Sequence, residues 1–304
     1  MKRFWILPAV LIIECLILGS MSPYFWNPAN ILDRSRHFVE IGIMATTMTF
    51  IIMTAGIDLS VASILAFCGI VFGFSWQYLG ENLLLAAFLA LLTGTLCGAF
   101  QGWIIAWWNI PPLLVTLAGL ALFRGMAYAI ARDQYVSNFP AVYRALGQNY
   151  LGDFPFQLIP FILIFLIMAI LLQMTILGRQ TILIGENETA AIYAGIPVKR
   201  VKLLLYSLSG LMSAIAALIY TARVNTAKPD AAEGYELDVI TCVVLGGTRI
   251  TGGSGSIFGT FMGLLILGML RYGLELAGIS SAWITLLVGL LLITTAIINE
   301  RFSS

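Results

Sequence analysis

Charge is scarce in this sequence. Only 10% of its 304 residues are Asp, Glu, Lys or Arg, whereas 60% are hydrophobic, and the mean hydropathy is +0.96. A soluble domain averages about 25% charged residues, so this chain has too little polar surface for a water-exposed fold. The composition predicts a membrane protein. Because the apolar runs do not alternate with polar residues, it predicts helical spans rather than barrel strands.

Residues that carry chemistry are equally few. There is one histidine, His37, and the four cysteines lie in apolar runs without a CxxC pair. A His-rich metal site, a His-based catalytic triad and a disulfide framework are therefore not expected, and an intramembrane enzyme is disfavoured. The net charge of +1 argues against nucleic acid as a partner. The sequence has no GxxxxGK[ST] loop, so the chain is not expected to hydrolyse ATP by itself.

Long apolar runs are what the chain has in abundance. A helical span needs about 20 apolar residues. The runs predict an all-α polytopic bundle of about ten spans, forming a single transmembrane domain over 1–304. The predicted spans are 4–21, 38–55, 59–75, 83–108, 112–131, 158–177, 201–221, 236–248, 256–274 and 282–299. The first could pass for a cleaved signal peptide, but so many spans follow that an uncleaved helix is expected.

Two of the predicted spans are irregular. The run over 38–75 is interrupted by GIDLS at 56–60, and the span at 236–248 is too short to cross alone before GGTRITGGSGS at 246–256. Non-helical backbone at membrane depth must be buried in protein or line a watery cavity, and discontinuous helices are common in transport proteins. The glycines that mark the second break are Gly246, Gly247, Gly252, Gly253 and Gly255.

Glycines also recur at a spacing of four residues in two ladders. These are Gly94, Gly98 and Gly102, and Gly255, Gly259 and Gly263. On a helix each ladder forms a smooth stripe that lets a neighbouring helix approach closely. Simple helix packing and a sliding seam of a gate are both compatible with this pattern. One ladder follows each break, which hints at an internal repeat.

A polar insert, LIGENETAAIYAGIPVKRVK at 183–202, separates two apolar runs. Asn187 is a good N-cap, Glu188 suits a first turn, and Gly195 before Pro197 suits a helix end. The pattern predicts a helix of about two turns outside the bilayer. It could lie on lipid headgroups or dock into a partner protein. The basic cluster at 199–202 places this loop in the cytoplasm, together with both chain ends.

Three stretches resemble one known family. MTAGIDLSVASILAF (53–67), IPPLLVTLAGLALFRG (110–125) and ELDVITCVVLGGTRITGGSGSIFGTFMGLLILG (236–268) are similar to stretches of ABC-importer permeases of the ribose-type, or simple-sugar, branch. The polar insert looks like their cytoplasmic coupling loop, at about 178–200. The resemblance runs over nearly the whole chain in the same order. Ala62 departs from it, at a position where a Gly is expected.

The resemblance implies that the chain is one subunit of a transporter with several components. Such a permease forms the pathway as a dimer with a second copy or a sister permease, in a bacterial cytoplasmic membrane. A separate ATP-binding subunit uses ATP and Mg²⁺, and an extracytoplasmic binding protein delivers a simple sugar or a similar small polar solute. Nucleosides are a close alternative, and the aspartate of GIDLS disfavours branched-chain amino acids. A proton-coupled secondary transporter, using Asp58, Glu14 or Glu40, is the alternative from another class.

The candidate site residues fall into two groups. Those implied for coupling to the ATP-binding subunit are Gly185, Glu186, Asn187, Ala190, Ala191, Gly195 and Ile196. Asp58 either caps a helix beginning at Leu59 or lines the pathway, and both roles can coexist, because a carboxylate in the membrane is costly when it faces lipid. Ser60 and Ser63 add hydroxyls on the same helix, and Thr116 is a further candidate for the pathway.

Overall fold

The computed structural model describes residues 6–132 and 134–301. Most of this length is helical, as the apolar runs predict. The helices are α1 (Ile6–Met21), α2 (Pro28–Ser35), α3 (Val39–Met53), α4 (Val61–Tyr78), α5 (Leu83–Trp108), α6 (Pro112–Ala131), α7 (Ala141–Gln148), α8 (Leu158–Met174), α9 (Ile176–Glu186), α10 (Glu188–Tyr193), α11 (Val198–Val224), α12 (Tyr235–Leu245), α13 (Ile257–Leu276) and α14 (Ser281–Arg301).

Short irregular elements join these helices. A 3-10 turn, Arg36–Phe38, connects α2 to α3. Four two-residue strands lie in the loops: β1 (Val136–Ser137), β2 (Tyr150–Leu151), β3 (Phe154–Pro155) and β4 (Thr226–Ala227). β1 pairs antiparallel with β4, and β2 pairs antiparallel with β3. The β1–β4 pair therefore connects the loop after α6 to the loop after α11.

Capping side chains set several helix ends. Asn82 accepts the N–H of the third residue of α5, and Ser256 does the same for α13. α5 and α11 are each followed by an asparagine in the left-handed region, Asn109 at φ 51° and Asn225 at φ 56°. Asparagine adopts this conformation more readily than other residues with a side chain, so these positions end the helices at low cost.

The centre of the bundle is α3. All of its residues are buried, and it contacts α8, α11, α12 and α13. Its threonines satisfy their hydroxyls within the helix: Thr46 donates to the Ile43 carbonyl at 2.7 Å, and Thr49 donates to the Ala45 carbonyl at 2.8 Å. A helix that is buried all round needs this, because a buried hydroxyl without a partner is destabilising.

Span-length helices confirm a polytopic all-α bundle. Among the described residues, six segments are long and apolar enough to cross a membrane: 28–53, α4, α5, α6, α11 and α13. α8 and α9 pass the same test together but are bent by 66°. The bend lies at Thr175, whose backbone is extended, and so the run expected to continue to 177 ends at Met174. The broken helices expected around 56–60 and 246–256 are confirmed.

Both glycine ladders mediate helix packing. A Cβ at Gly98 would collide with the backbone carbonyl of Tyr206, so the backbones of α5 and α11 are in contact there. A Cβ at Gly263 would collide in the same way with the carbonyl of Cys242, between α13 and α12. The second ladder is shorter than expected. α13 begins at Ile257, and Gly255 lies in the preceding loop because Ser256 caps the helix.

Candidate functional site

The polar insert forms the short helix that its sequence predicts. Asn187 caps α10, with its Oδ1 accepting the Ala190 N–H at 2.9 Å, and Glu188 occupies the first turn. After Tyr193 the chain turns at Gly195, whose φ of +80° a residue with a side chain would adopt only under strain. α11 begins directly after Pro197. The residues of the insert itself therefore determine the helix and both of its ends.

The two faces of α10 differ sharply. Ala191 is only 3% exposed and belongs to a buried cluster that includes Val198 and Val201 of α11. Ile192 is 57% exposed and Tyr193 is 88% exposed. Two adjacent exposed apolar side chains on this short helix form a surface suited to a protein partner.

An ion pair joins α10 to α11. The Nζ of Lys202 donates to both carboxylate oxygens of Glu188, each at 2.7 Å. The Lys202 side chain is 14% exposed and the Glu188 side chain is 46% exposed. Glu188 also lies at the N-terminus of its helix, where the helix dipole favours a negative charge.

Three interruptions of the helices meet at one place, which we term the junction. It consists of residues 53–60, residues 185–186 and the loop 246–256. The Gly253 N–H donates to the Met53 carbonyl at 2.9 Å. Gly185 is packed so tightly that a Cβ would collide with that same carbonyl and with the Gly253 nitrogen. Gly252, at φ +91°, faces the backbone of Gly185. Glycine is required here because three backbones approach one another closely.

Asp58 organises a buried polar network within the junction. Its Oδ1 accepts the backbone N–H of Ser60 at 3.0 Å and the Ser60 hydroxyl at 2.6 Å. Its Oδ2 accepts the hydroxyl of Ser209 on α11 at 2.8 Å. The Ser60 Oγ also accepts the side-chain N–H of Gln101 of α5 at 2.8 Å. Hence the carboxylate connects the start of α4 to α11 and, through Ser60, to α5.

Comparison with known proteins identifies the family. The profile of the family described as branched-chain amino acid transport system / permease component matches residues 30–296. The ribose import permease protein RbsC of Bacillus subtilis (strain 168) is 38% identical over 297 residues, which is 97% of this chain and 92% of that protein. The autoinducer 2 import system permease protein LsrD of Escherichia coli (strain K12) is 34% identical over 96% of this chain and 90% of its own length. The chain belongs to this family of permeases. No solved structure matches it.

The residues expected to line a pathway lie together in the permease, and all are buried. Asp58 is 1% exposed, and Ser60, Ser63 and Thr116 are fully buried. Ser63 donates to the Ser60 carbonyl at 2.8 Å, and Thr116 donates to the Ile57 carbonyl at 3.1 Å, which ties α6 to the break. The helix after the break begins at Val61 rather than at Leu59, because Asp58 and Ser60 form a turn before it.

The expected coupling residues of the permease differ in their exposure to solvent. Glu186, Asn187, Ala190 and Gly195 are exposed, and Gly185 and Ile196 are half-buried. Ala191 packs inward. The glycines of the second break are similarly divided: Gly246 packs against Gly259 of α13, Gly247 turns at φ +87°, and Gly252, Gly253 and Gly255 contact the other members of the junction.

Sequence reasoning missed several residues of this region. Ser209 and Gln101 complete the Asp58 network, Lys202 holds α10, and Tyr193 is its most exposed side chain. Gln101 could have been identified from the sequence, since it is a polar residue between Gly98 and Gly102 of a glycine ladder. The sequence pointed less clearly to Ser209, which is a hydroxyl residue before a glycine in an apolar run.

A cavity of about 240 Å³ lies elsewhere in the permease, between α2, α8 and α13. Its walls are largely apolar and include Phe38, Phe161 and Phe261. None of the expected pathway residues lines it. In the part of the chain that the structure describes, no group of three or more His, Cys, Asp or Glu side chains could hold a metal ion.

Proposed function

We propose that this permease is the transmembrane subunit of an ATP-driven ABC importer that moves a simple sugar or a sugar-like small polar solute into the cytoplasm. The two relatives named above are import permeases for ribose and for autoinducer 2, and each matches almost the full chain. The family description names branched-chain amino acids. The relatives and the GIDLS stretch favour the sugar-like class.

The construction of α10 is the observation that carries this proposal. It is a capped helix with an exposed apolar surface at Ile192 and Tyr193, attached to the junction at Gly185 and to α11 at Lys202. A carrier driven by an ion gradient has no need for such a surface. We assign Ile192 and Tyr193 as the main contacts with a separate ATP-binding subunit, which binds the ATP and Mg²⁺. The exposed coupling residues surround them, and Ala191 supports the helix from inside.

We further propose ten crossings of a bacterial cytoplasmic membrane, with both chain ends in the cytoplasm. The junction and α10 share one end of the bundle, and Asn299 near the end of α14 donates to the Thr248 carbonyl there at 2.8 Å. α1 ends at the opposite end, since the Tyr272 hydroxyl donates to the Tyr24 carbonyl at 3.3 Å. Crossings in alternating directions by α1, α3, α4, α5, α6, α8, α11, α12 with its loop, α13 and α14 satisfy these contacts.

The remaining partners follow from this arrangement. An extracytoplasmic binding protein would meet the end that carries α2, α7 and the strands, and a second copy or a sister permease would complete the pathway. Asp58 and Ser60 concentrate polar groups in the junction, and Ser63 and Thr116 add others beside it. We propose that the cytoplasmic part of the pathway opens there when the helices separate.

Affinity purification from the native membrane tests the docking assignment. A tagged wild-type chain should retain an ATP-binding subunit, identified by mass spectrometry. Tyr193→Asp should lose it, because a charge then occupies the centre of the apolar surface. Val142→Asp is the matched control, since Val142 is 83% exposed on α7.

Three outcomes bear on the proposal. Loss of the subunit from Tyr193→Asp alone, with the variant still monodisperse in detergent, supports docking at α10. Equal recovery from both variants would show that the subunit binds elsewhere. If the wild-type chain is repeatedly recovered without any ATP-binding protein, the importer assignment is wrong, and proton-driven uptake by the purified permease should be measured instead.

A further inference from the structure

Two contacts on α11 lie on one face of the helix. Lys202 forms an ion pair with Glu188 of α10. The Ser209 hydroxyl donates a hydrogen bond to Asp58, at the break between α3 and α4. The two residues of α11 are seven positions apart, which is close to two helical turns, or about 10 Å along the axis. One side of α11 therefore connects the exposed helix to the buried carboxylate.

The stretch of α11 between these contacts is well suited to transmit displacement. Residues 202–209 contain neither glycine nor proline. Tyr206, in the middle of this stretch, packs backbone to backbone against Gly98 of α5, and Gly210, just beyond it, packs against Gly94. A continuous helix supported by a second helix in direct backbone contact moves as one body rather than bending.

α10 has few other attachments to the permease. Within this six-residue helix Ala191 is the buried residue, and its methyl group offers little area. The chain on its N-terminal side leads to the junction through Gly185, so a push on α10 reaches residue 53 by backbone packing. A displacement of α11 would reach Asp58, at the other end of the same break, through its hydrogen bond with Ser209. Besides the short chain connection and the packing of Ala191, the Glu188–Lys202 ion pair is the side-chain link between α10 and α11.

We infer that Glu188 and Lys202 are positioning residues that make α10 and α11 move together, so that nucleotide-driven displacement of α10 arrives at the Asp58 break. This inference rests on the proposed docking of α10 onto an ATP-binding subunit. The pair acts through α11 and needs no contact with solute.

The experiment reads movement at the break without requiring the solute. Ala55 is an exposed residue of the break. Ala55→Cys is introduced into the complex with its ATP-binding subunit, and its labelling rate with a maleimide is measured without nucleotide and with Mg²⁺ and a non-hydrolysable ATP analogue. In the otherwise wild-type complex we expect the two rates to differ.

The ion pair is then removed from the Ala55→Cys chain in three variants: Glu188→Gln, Lys202→Gln and the two changes together. Each single change should reduce the nucleotide-dependent rate ratio about two- to fivefold, as expected for a partly exposed ion pair. The double change should reduce it no further, because the two residues act as one unit. Exchange of the charges, Glu188→Lys with Lys202→Glu, should recover part of the ratio. Lys199→Gln, an exposed neighbour, is the control and should leave it unchanged.

Several results would overturn the inference, and they differ from failure of the proposed function. The inference is wrong if the assembled wild-type complex shows no nucleotide-dependent labelling, if the single variants keep the full ratio, or if the double change multiplies their losses. It is also wrong if Glu188→Gln loses the ATP-binding subunit, since Glu188 would then be a docking contact. Failure of the wild-type chain to bind any such subunit instead refutes the proposed function itself.

Discussion

At the scale of single residues, Asp58 shows how the bundle tolerates an acid. Three donors converge on it: the N–H and the hydroxyl of Ser60 and the hydroxyl of Ser209. A buried carboxylate without partners costs several kcal/mol, whereas hydrogen bonds to both oxygens offset much of that cost. Asp58 therefore supplies the acceptor for the Ser60 N–H just before α4 and for the Ser209 hydroxyl of α11.

Replacing Asp58 should therefore separate its structural role from any need for its charge. Asp58→Ala removes the acceptor of the Ser60 N–H and of the Ser209 hydroxyl, at about 1–3 kcal/mol for each group left unsatisfied. Asp58→Asn keeps one acceptor oxygen and should lose less stability. Melting of the purified permease in detergent measures this, with Asp153→Ala in an exposed loop as the control. Equal melting temperatures for all three variants would contradict the structural role.

The sequence predicted the local chemistry of these residues better than their partners. The cap at Asn187 and the turn at Gly195 were predictable because capping depends on neighbours in the chain. The contact between Asp58 and Ser209 joins residues 151 positions apart, and no local pattern reports it. The burial of Ala191, one of the residues implied for coupling, was not predictable for a related reason, since the direction in which a two-turn helix faces is set by what packs beneath it.

At the scale of helices, apolar length predicted the long elements and missed the short ones. α4, α5, α6, α11 and α13 lie close to their predicted spans. α2, α7 and α9 have 8, 8 and 11 residues and carry polar side chains, so a search for apolar runs does not find them. The glycine ladders predicted close packing, but the partner helix of each became known only from the structure.

The α5–α11 seam makes a prediction about one glycine. Gly98→Ala places a methyl group against the Tyr206 carbonyl and should destabilise the permease by about 1–3 kcal/mol, as overpacking does. Gly125→Ala in α6 is the matched control, because open space surrounds that position. It should be neutral or slightly stabilising, since alanine favours helix over glycine. Thermal unfolding in detergent compares them. Similar melting temperatures would show that the seam can open to accept the methyl group.

At the scale of the whole molecule, the contacts at the two ends of the bundle constrain the path of the chain more tightly than hydropathy does. Six or seven segments pass a test of length and apolarity, yet the junction brings together loops from three distant parts of the sequence. α12 is the decisive element. Its 11 residues are too few to span about 30 Å of hydrocarbon, so it crosses only if the loop 246–256 continues the passage inside protein.

Labelling from one side of the membrane tests that crossing. Asp230, Thr251 and Ser280 are exposed positions before α12, within the loop that follows it, and after α13. Cysteines at Asp230 and Ser280 should react with an impermeant maleimide in right-side-out vesicles, because both lie at the end of the bundle opposite the junction. A cysteine at Thr251 should react only after the vesicles are opened. The unsubstituted chain gives the background from its own cysteines, three of which are buried. If Thr251→Cys reacts in sealed vesicles, α12 returns to the side it started from. The chain then makes fewer than ten crossings, and the junction does not face the side on which we propose that an ATP-binding subunit docks.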